Sequence, residues 1–241
     1  MSVNDRPDGR RADELRPIAY ELGYQDWAEG SILFRQGRTR VLVAASVEDE
    51  SARWLRGTGR GWVTGEYSML PRSTLERTSR EVNRGRPGGR TQEIQRLIGR
   101  ALRGVTDLSK LGERTVTIDC DVLLADAGTR CASITAGWIA LALAIRSLGE
   151  RGLALDEVLT DPVAAVSVAI VDGEPVLDPT YEEDASADVD FNVVMTGSGR
   201  LVEVQGTAEG KPFARADLDR ILDLATSGID ALTEIQRAAI G

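Results

Sequence analysis

Histidine is absent from this sequence of 241 residues, and its absence excludes several common kinds of catalysis. Serine or cysteine nucleophiles that depend on a histidine base cannot operate, and neither can histidine general bases or histidine metal sites. Any reaction must therefore use carboxylates, arginines, hydroxyl groups or groups of the substrate itself.

Cysteine is almost absent too. Cys120 and Cys131 are the only two, and their spacing fits neither a disulfide framework nor a zinc site. Because free cysteine is one of the most frequently buried residue types, buried thiols are the simplest interpretation.

Long apolar runs are missing as well. No stretch reaches the ~18 to 20 residues of a membrane span without a charge, and the polar first 16 residues lack the apolar region of a signal peptide. We therefore expect a cytosolic protein with no membrane partner.

At 42% hydrophobic residues, the chain can bury a sizeable core as a single domain, 1–241, or as two packed halves, 1–150 and 151–241.

Positive charge is scarce overall but concentrated in one segment. The net charge of -9 argues at first against a nucleic-acid partner, yet residues 72–103 carry +6 and the remainder carries -15. The arginines of this segment are Arg72, Arg77, Arg80, Arg84, Arg86, Arg90, Arg96, Arg100 and Arg103. This segregation predicts a basic surface on an acidic protein.

Hydrophobic periodicity predicts strands interleaved with a few helices. Strands are expected at 32–34 and 41–45 around a Gln36-Gly37 turn, at 62–70, 116–122 and 162–172, and in a hairpin of 192–196 with 201–205. Helices are expected from Thr91 to about 105, over the apolar stretch 132–148, and over 218–235, whereas 72–90 is a loop or a short helix. This order fits either an α+β or an α/β protein.

Two short loops combine glycine with arginine directly before a predicted helix. They are residues 87–91, which include Arg90, and residues 126–130, which include Gly128, Thr129 and Arg130. Backbone N–H groups, the positive end of a helix and a guanidinium meet at such a point, so each loop suits an anion. An ordinary helix cap at Thr91 and an ordinary strand-to-helix turn are equally good interpretations of each loop taken alone.

An acidic segment at 182–190 contains Asp184 and Asp190, which could hold Mg²⁺ together with substrate phosphates. In a straight strand these two residues would be about 20 Å apart, so the chain between them must turn back. A solvated acidic loop is the alternative.

Two further patterns are weaker. Residues 57–61 are glycine-rich but match no phosphate-binding fingerprint. Asp119 and Asp121 share one side of a strand, either as a carboxylate pair or buried against arginines.

Several stretches resemble the ribonuclease PH family of phosphorolytic 3′-to-5′ exoribonucleases. They are residues 61–74, 88–91, 93–103, 119–123, 128–130, 164–168, 192–196 and 204–210, and the resemblance extends from Arg10 to the final helix. It implies an α+β ribonuclease PH fold of two similar βαβα halves, related to the ribosomal protein S5 domain 2-like fold. It also implies a homohexameric ring, built as a trimer of dimers.

The resemblance also implies an activity and its residues. Members of the family use inorganic phosphate to trim the 3′ ends of tRNA precursors, and rRNA is a further candidate substrate. Arg90 and the Gly128-Thr129-Arg130 loop would bind phosphate, and Asp184 and Asp190 would bind Mg²⁺. The expected RNA-binding residues are Arg72, Arg77, Arg80, Arg96 and Arg100.

A few positions depart from the family pattern, and two other functions remain open. The departures are Gly65 and Ala127, where alanine and glycine are common, Cys131, where threonine is common, and Phe191, where methionine is common. None of them is a charged site residue. The competing functions are an inactive ring subunit of an exosome-like complex and a hydrolytic, metal-dependent nuclease.

Overall fold

The computed structural model describes residues 6–209 and 212–241. Gly210, which ends one of the family-like stretches, lies outside the described residues, and so does Lys211. The side chain of Arg84, one of the arginines in the basic segment, is also not described.

The described chain forms two β-sheets and a set of helices. The strands are β1 (Ile18–Leu22), β2 (Gly30–Gln36), β3 (Thr39–Glu48), β4 (Trp62–Met69), β5 (Thr115–Leu124), β6 (Val163–Val171), β7 (Glu174–Leu177), β8 (Val189–Thr196) and β9 (Leu201–Ala208). The α-helices are α1 (Gly89–Arg103), α2 (Leu108–Leu111), α3 (Thr129–Ser147), α4 (Leu155–Val158), α5 (Tyr181–Ser186) and α6 (Arg215–Ile240).

The first sheet has the strand order β1-β2-β3-β5-β4. Every pair in it is antiparallel except β4 with β5, which are parallel because α1 makes the crossover between them. On β5 the alternating residues Val116, Ile118, Cys120 and Val122 are all buried, as their period-two pattern predicts. Both cysteines are free and buried, which confirms the prediction made for them.

The second sheet has the order β7-β6-β8-β9 and is entirely antiparallel. The hairpin of β6 and β7 turns at Asp172 and Gly173, which both adopt positive φ angles. Helix α3 lies between the two sheets and contacts strands of both. Its burial on nearly every side confirms the prediction of a central apolar helix. The α+β fold of the family is therefore the observed one.

Three predicted boundaries are wrong by a few residues. Gln36 belongs to β2, so the first hairpin turns at the next two residues. Helix α1 begins at Gly89 and is preceded by the N-cap Gly88, so Thr91 is not the cap. Helix α3 begins at Thr129 rather than near Ala132. Both helices begin with residues that line a pocket, Arg90 in α1 and Thr129 and Arg130 in α3, and these polar residues lack the apolar pattern on which the prediction depended.

Gly65 lies where a side chain has no room. A Cβ atom at this position would come within 2.6 Å of Ile98 Cγ2, and Ile98 is fully buried. We therefore expect Gly65→Ala to lower the free energy of unfolding by about 1 to 3 kcal/mol through overpacking. Chemical denaturation measures this change. Gly149→Ala is the matched control, since nothing lies within 4 Å of its Cβ position, and equal stability of the two variants would contradict the packing described.

None of the helices within the described residues is both long and apolar enough to cross a bilayer.

Candidate active site

The residues predicted for phosphate and metal binding line one pocket of about 1040 Å³. They belong to helices α1, α3 and α5, to the N-cap of α3, and to strand β8 of the second sheet. The residues in question are Arg90, Gly128, Thr129, Arg130, Asp184 and Asp190. The fold therefore brings together groups that are as far as 100 residues apart in the sequence.

Arg90 stands in the first turn of α1. The N-cap residue of this helix, Gly88, has no side chain to cap the first N–H groups, and its backbone is extended. Glu81 supports the loop, since it accepts hydrogen bonds from Gly88 N at 3.1 Å and from Thr91 Oγ1 at 3.0 Å. Arg90 itself is exposed and forms no ion pair within the described residues. Its guanidinium is thus available to an anion in the pocket.

The second glycine–arginine loop opens α3. Its N-cap Gly128 has a left-handed φ of 65° and gives the first N–H groups no side-chain acceptor. Arg130, in the first turn, has a side chain only 11% exposed. It lies 3.3 Å from Glu93 Oε1 and also donates a hydrogen bond to Gln205 Oε1. These two partners, from α1 and β9, fix a mostly buried guanidinium at the pocket wall.

Tyr67 ties the α3 loop to the first sheet. Its hydroxyl lies 2.8 Å from Thr129 Oγ1, and the ring is buried. Burial raises the pKa of Tyr67, and the hydrogen bond with Thr129 only partly offsets this. The tyrosine is therefore a neutral hydroxyl at neutral pH that holds the Thr129 side chain in place. Sequence periodicity did not identify this role, because Tyr67 has the pattern of an ordinary core residue in the predicted strand 62–70.

Asp184 and Asp190 approach each other because the chain turns back between them, as predicted. Asp184 lies on α5, whose first turn carries a capping box in which Thr180 caps Glu183 and Glu183 caps Thr180. Asp190 lies on β8, where Asn192 Nδ2 donates to its Oδ2 at 3.4 Å. Asp190 Oδ1 is buried and has no hydrogen-bond partner within the described residues. An orphaned buried carboxylate oxygen next to a second carboxylate suits a divalent cation.

The environment of Asp184 and Asp190 raises the pKa of both carboxyls above the ordinary value. Burial raises the pKa of Asp184 against the opposing effect of Arg90 and Arg130. Burial also raises the pKa of Asp190, and the nearby charge of Asp184 raises it further. Within the described residues no group of three or more acidic or cysteine side chains could hold a metal. Two carboxylates completed by substrate phosphate oxygens remain a suitable Mg²⁺ site.

The arginines predicted to bind RNA lie in different places. Arg72 lines the pocket and donates to Leu75 O at 2.9 Å. Arg77 and Arg80 are exposed in the segment that follows β4. Arg96 and Arg100 are exposed on α1, outside the pocket, and Arg100 pairs with Glu203 on β9. The predicted cationic face of α1 is thus present, although one of its members is partly neutralised.

Three arginines from the N-terminal segment lie beneath the pocket, and sequence reasoning missed them. Arg6 makes a two-pronged ion pair with Glu183, at 2.7 and 2.9 Å, one residue before Asp184. Arg16 makes another with Asp178, at 2.6 and 3.1 Å, and donates to Asp126 O in the α3 loop. Arg10 donates to Asp178 O at 3.0 Å.

The Arg16–Asp178 pair joins two strained points of the backbone. Asp178 has a φ of 50° and Ala127 has a φ of 56°, both in the left-handed region that non-glycine residues rarely adopt. Side chains of Arg16 and Asp178 are each only 2% exposed. The buried pair therefore connects the loop before α3 to the chain that leads into α5, and so aligns the phosphate side of the pocket with the carboxylate side.

Asp119 and Asp121 lie apart from this pocket, beside a smaller one of about 520 Å³ that Trp27 also lines. Burial raises the pKa of both carboxyls. The charge of Glu66 adds to this at Asp119, whereas Arg80 opposes it at Asp121. The charge of Asp121 also raises the pKa of Asp119, which fits a carboxylate pair, and neither half-buried residue forms an ion pair with an arginine within the described residues.

Two family descriptions match the chain. The first, "3' exoribonuclease family, domain 1", matches residues 14–146, and the second, "3' exoribonuclease family, domain 2", matches residues 161–228.

Individual relatives give the same result. A protein named Ribonuclease PH from Moorella thermoacetica is 57% identical over 236 residues, covering 98% of this chain and 94% of that protein. One of the same name from Methylocella silvestris is 55% identical, covering 98% and 99%. Among solved structures, an Archaeoglobus fulgidus exosome with RNA bound to the active site matches with a TM-score of 0.79 at 25% identity, covering 96% of this chain and 92% of that one.

Proposed function

The chain belongs to the 3′ exoribonuclease family of ribonuclease PH, and from this premise we propose how its pocket works and on which RNA. The enzyme is a phosphate-dependent nucleotidyltransferase that removes nucleotides from RNA 3′ ends and releases nucleoside diphosphates. The reverse reaction adds nucleotides to the same ends. In our proposal the substrates are the 3′ trailers of tRNA precursors, with rRNA as a second substrate.

One observation carries the assignment of roles within the pocket. Two helix N-termini, each with an arginine in its first turn, face the same space as two partly buried carboxylates. We assign Arg90, Gly128, Thr129 and Arg130 to the attacking phosphate. The scissile phosphodiester then lies between that phosphate and the carboxylates Asp184 and Asp190.

The chemistry explains why an enzyme without histidine can perform it. A phosphate oxygen attacks the terminal phosphodiester phosphorus, and the bond from phosphorus to the 3′ oxygen of the preceding nucleotide breaks. The proton of hydrogen phosphate can pass to the departing 3′ oxygen, so no protein base is needed. The main obstacle is repulsion between two anions, which guanidinium groups and helix N-termini reduce.

The carboxylates fit a bound Mg²⁺. Asp184 and Asp190 would hold it, and Asp190 Oδ1, which lacks a partner among the described groups, would gain one. When bound, Mg²⁺ supplies positive charge to the phosphodiester that is being cleaved. Asn192 orients Asp190, and the Arg6–Glu183 pair anchors α5 and thus Asp184.

The wider proposal concerns assembly and RNA binding. Residues 1–241 act as one ribonuclease PH domain with pseudo-halves 1–150 and 151–241, because both halves line the pocket. We propose a homohexamer built as a trimer of dimers, in the cytosol, where its RNA substrates are made. Arg72, Arg77, Arg80, Arg96 and Arg100 would then form basic surfaces repeated around the ring, which lets an acidic protein hold RNA.

The products of the reaction with a 3′-tailed tRNA test the proposed chemistry. With phosphate we expect nucleoside diphosphates, and without phosphate we expect no shortening. Nucleoside monophosphates formed independently of phosphate would instead support the hydrolytic alternative. Complete inactivity under both conditions would support the inactive ring subunit, although all six site residues are present in the pocket.

The raised pKa values of the carboxyls give a prediction for the metal-free protein. Because the pKa of Asp190 is raised in the folded state, its contribution to stability is present below the ordinary carboxyl pKa and is lost as the pH rises through the raised value. We therefore expect Asp190→Asn to melt a few degrees higher than the parent at neutral pH without Mg²⁺. The difference should shrink towards about pH 4.

The same melting experiment includes its control. Mg²⁺ should stabilise the parent at neutral pH but not Asp190→Asn, because the variant lacks one of the two proposed ligands. A variant that melts lower than the parent in the absence of Mg²⁺ would contradict the account of these carboxyls.

A further inference from the structure

The glycine-rich segment at 57–61 has no part in the pocket, yet it belongs to an unusual surface. Trp54, a few residues before it, is 69% exposed. Its ring packs edge-on against Trp62, with centroids 5.7 Å apart and planes at 84°. The guanidinium carbon of Arg103 lies 4.1 Å from the centre of the Trp62 ring. We call Arg53, Trp54, Arg60, Trp62 and Arg103 the aromatic patch.

The patch holds Trp54 in place while leaving its ring open to solvent. Trp62 contacts both the Trp54 ring and the Arg103 guanidinium, and Arg103 Nη1 also donates to Val63 O at 2.6 Å. An exposed aromatic ring that a second ring supports is the kind of surface on which nucleic-acid bases stack.

The charges around Trp54 are suited to a polyanion. Arg53 and Arg60 are exposed, and neither forms an ion pair within the described part of the chain. Arg56, between them, pairs with Glu50 at 2.8 Å. Exposed arginines one and six residues from an open tryptophan supply the combination of cations and aromatic rings that binds single-stranded nucleic acid.

Two elements connect the patch to the pocket and give the distance between them. Helix α1 runs from Arg90, in the pocket, to Arg103, in the patch, which is about 20 Å at 1.5 Å per residue. Strand β4 runs from Trp62, in the patch, to Met69, in the pocket, which is about 23 Å at 3.3 Å per residue. The two independent estimates agree.

The surface between the two sites is also basic. Arg96 and Arg100 are exposed on α1 and share a stripe of the helix with Arg103, since the three are spaced by four and three residues. At about 3.4 Å per nucleotide, the length of α1 corresponds to roughly six nucleotides of a stacked strand.

We propose that Trp54 is a stacking platform for a base of single-stranded RNA roughly six nucleotides upstream of the 3′ end that is held in the pocket. Arg53 and Arg60 neutralise neighbouring phosphates. This inference rests on the proposed function, since the pocket supplies the 3′ end from which the distance is counted.

The test uses phosphorolysis of RNAs of two lengths. With an RNA of about twelve nucleotides, Trp54→Ala should raise the KM for RNA about tenfold, since one stacked base contributes about 1 to 3 kcal/mol. With an RNA of about three nucleotides, which is too short to reach the patch, the KM should not change. Trp54→Phe should retain most of the affinity for the longer RNA, because phenylalanine keeps a stacking surface.

A positional scan makes the test sharper. Single abasic sites placed along the longer RNA should weaken binding to the parent most at roughly six nucleotides from the 3′ end. That maximum should disappear in Trp54→Ala. Trp27→Ala is the matched control, because Trp27 is 98% exposed but lies beside the other, smaller pocket.

Three results would overturn the proposal. They are an equal rise in KM for both RNA lengths, no rise for either, and a loss of oligomer mass in light scattering without any length-dependent effect. The last result would identify the patch as a contact between copies of this chain. Failure of the parent to trim the three-nucleotide RNA with phosphate would instead count against the proposed function, which separates the two failures.

Discussion

Arg130→Ala is expected to lower kcat/KM for phosphate-dependent RNA trimming by about 10²- to 10³-fold, the usual effect of removing one preorganised charge-stabilising donor. The Arg130 guanidinium is held by Glu93 and Gln205 at the pocket wall, so its position costs little reorganisation during the reaction. Arg90, the other arginine assigned to the phosphate, is exposed and makes no ion pair among the described residues, so it is not held in this way.

Initial rates at varied phosphate and RNA measure this effect. Arg237→Ala is the matched control, because Arg237 pairs with Glu234 on the exposed face of α6, away from the pocket. Thermal melting of both variants shows whether either one fails to fold. A folded Arg130→Ala enzyme with nearly the parent's kcat/KM would contradict the role of this arginine.

Arg16→Ala is expected to lower the free energy of unfolding by about 3 to 5 kcal/mol, the cost of removing one partner from a buried ion pair. The change leaves the Asp178 carboxylate, 2% exposed, without its guanidinium at a strained backbone position. It also removes the hydrogen bond to Asp126 O. Urea denaturation at neutral pH measures the loss.

Two further variants make this prediction specific. Combining Arg16→Ala with Asp178→Asn should recover part of the lost stability, because it removes the uncompensated buried charge. Arg11→Ala should cost less than about 1 kcal/mol, since the Arg11–Asp13 pair is largely exposed. Similar losses for Arg11→Ala and Arg16→Ala would contradict the structural importance of the buried pair.

The three longest helices, α1, α3 and α6, and the two glycine–arginine loops could be predicted because their signals are local. The apolar stripe of α1 and the nearly continuous apolar stretch of α3 are periodic within one element. The glycines before Arg90 and Arg130 occur at the residues where each chain enters its helix. The first turns of α1 and α3 were missed, because Arg90, Thr129 and Arg130 line a pocket and lack the apolar period on which the prediction depended.

The framework beneath the pocket could not be predicted, because its partners are far apart in the sequence. Arg16 and Asp178 are separated by 162 residues, and Arg6 and Glu183 by 177. An arginine among aspartates near the N-terminus has the same local pattern whether it is solvated or buried. Glu183 shows the same difficulty, since its acidic neighbours suggest a solvated loop, whereas it is buried against Arg6.

The parallel pairing of β4 with β5 was also beyond local reasoning. A strand at 62–70 was predicted, but its partner and direction depend on the crossover through α1, which packs against β4. This crossover brings Met69 and Arg90 to the same end of the sheet. The position of the site thus depends on the order and direction of the strands, whereas local sequence patterns indicate only where strands and helices occur.

The separate KM values for phosphate and for RNA in Arg90→Lys test the central claim most directly. Lysine keeps the charge but loses the two-pronged geometry that a guanidinium offers to phosphate. If Arg90 holds the attacking phosphate, the KM for phosphate should rise about tenfold, the equivalent of about 1.4 kcal/mol, while the KM for RNA stays unchanged. A rise in the KM for RNA with no change in the KM for phosphate would show that Arg90 binds the RNA backbone instead.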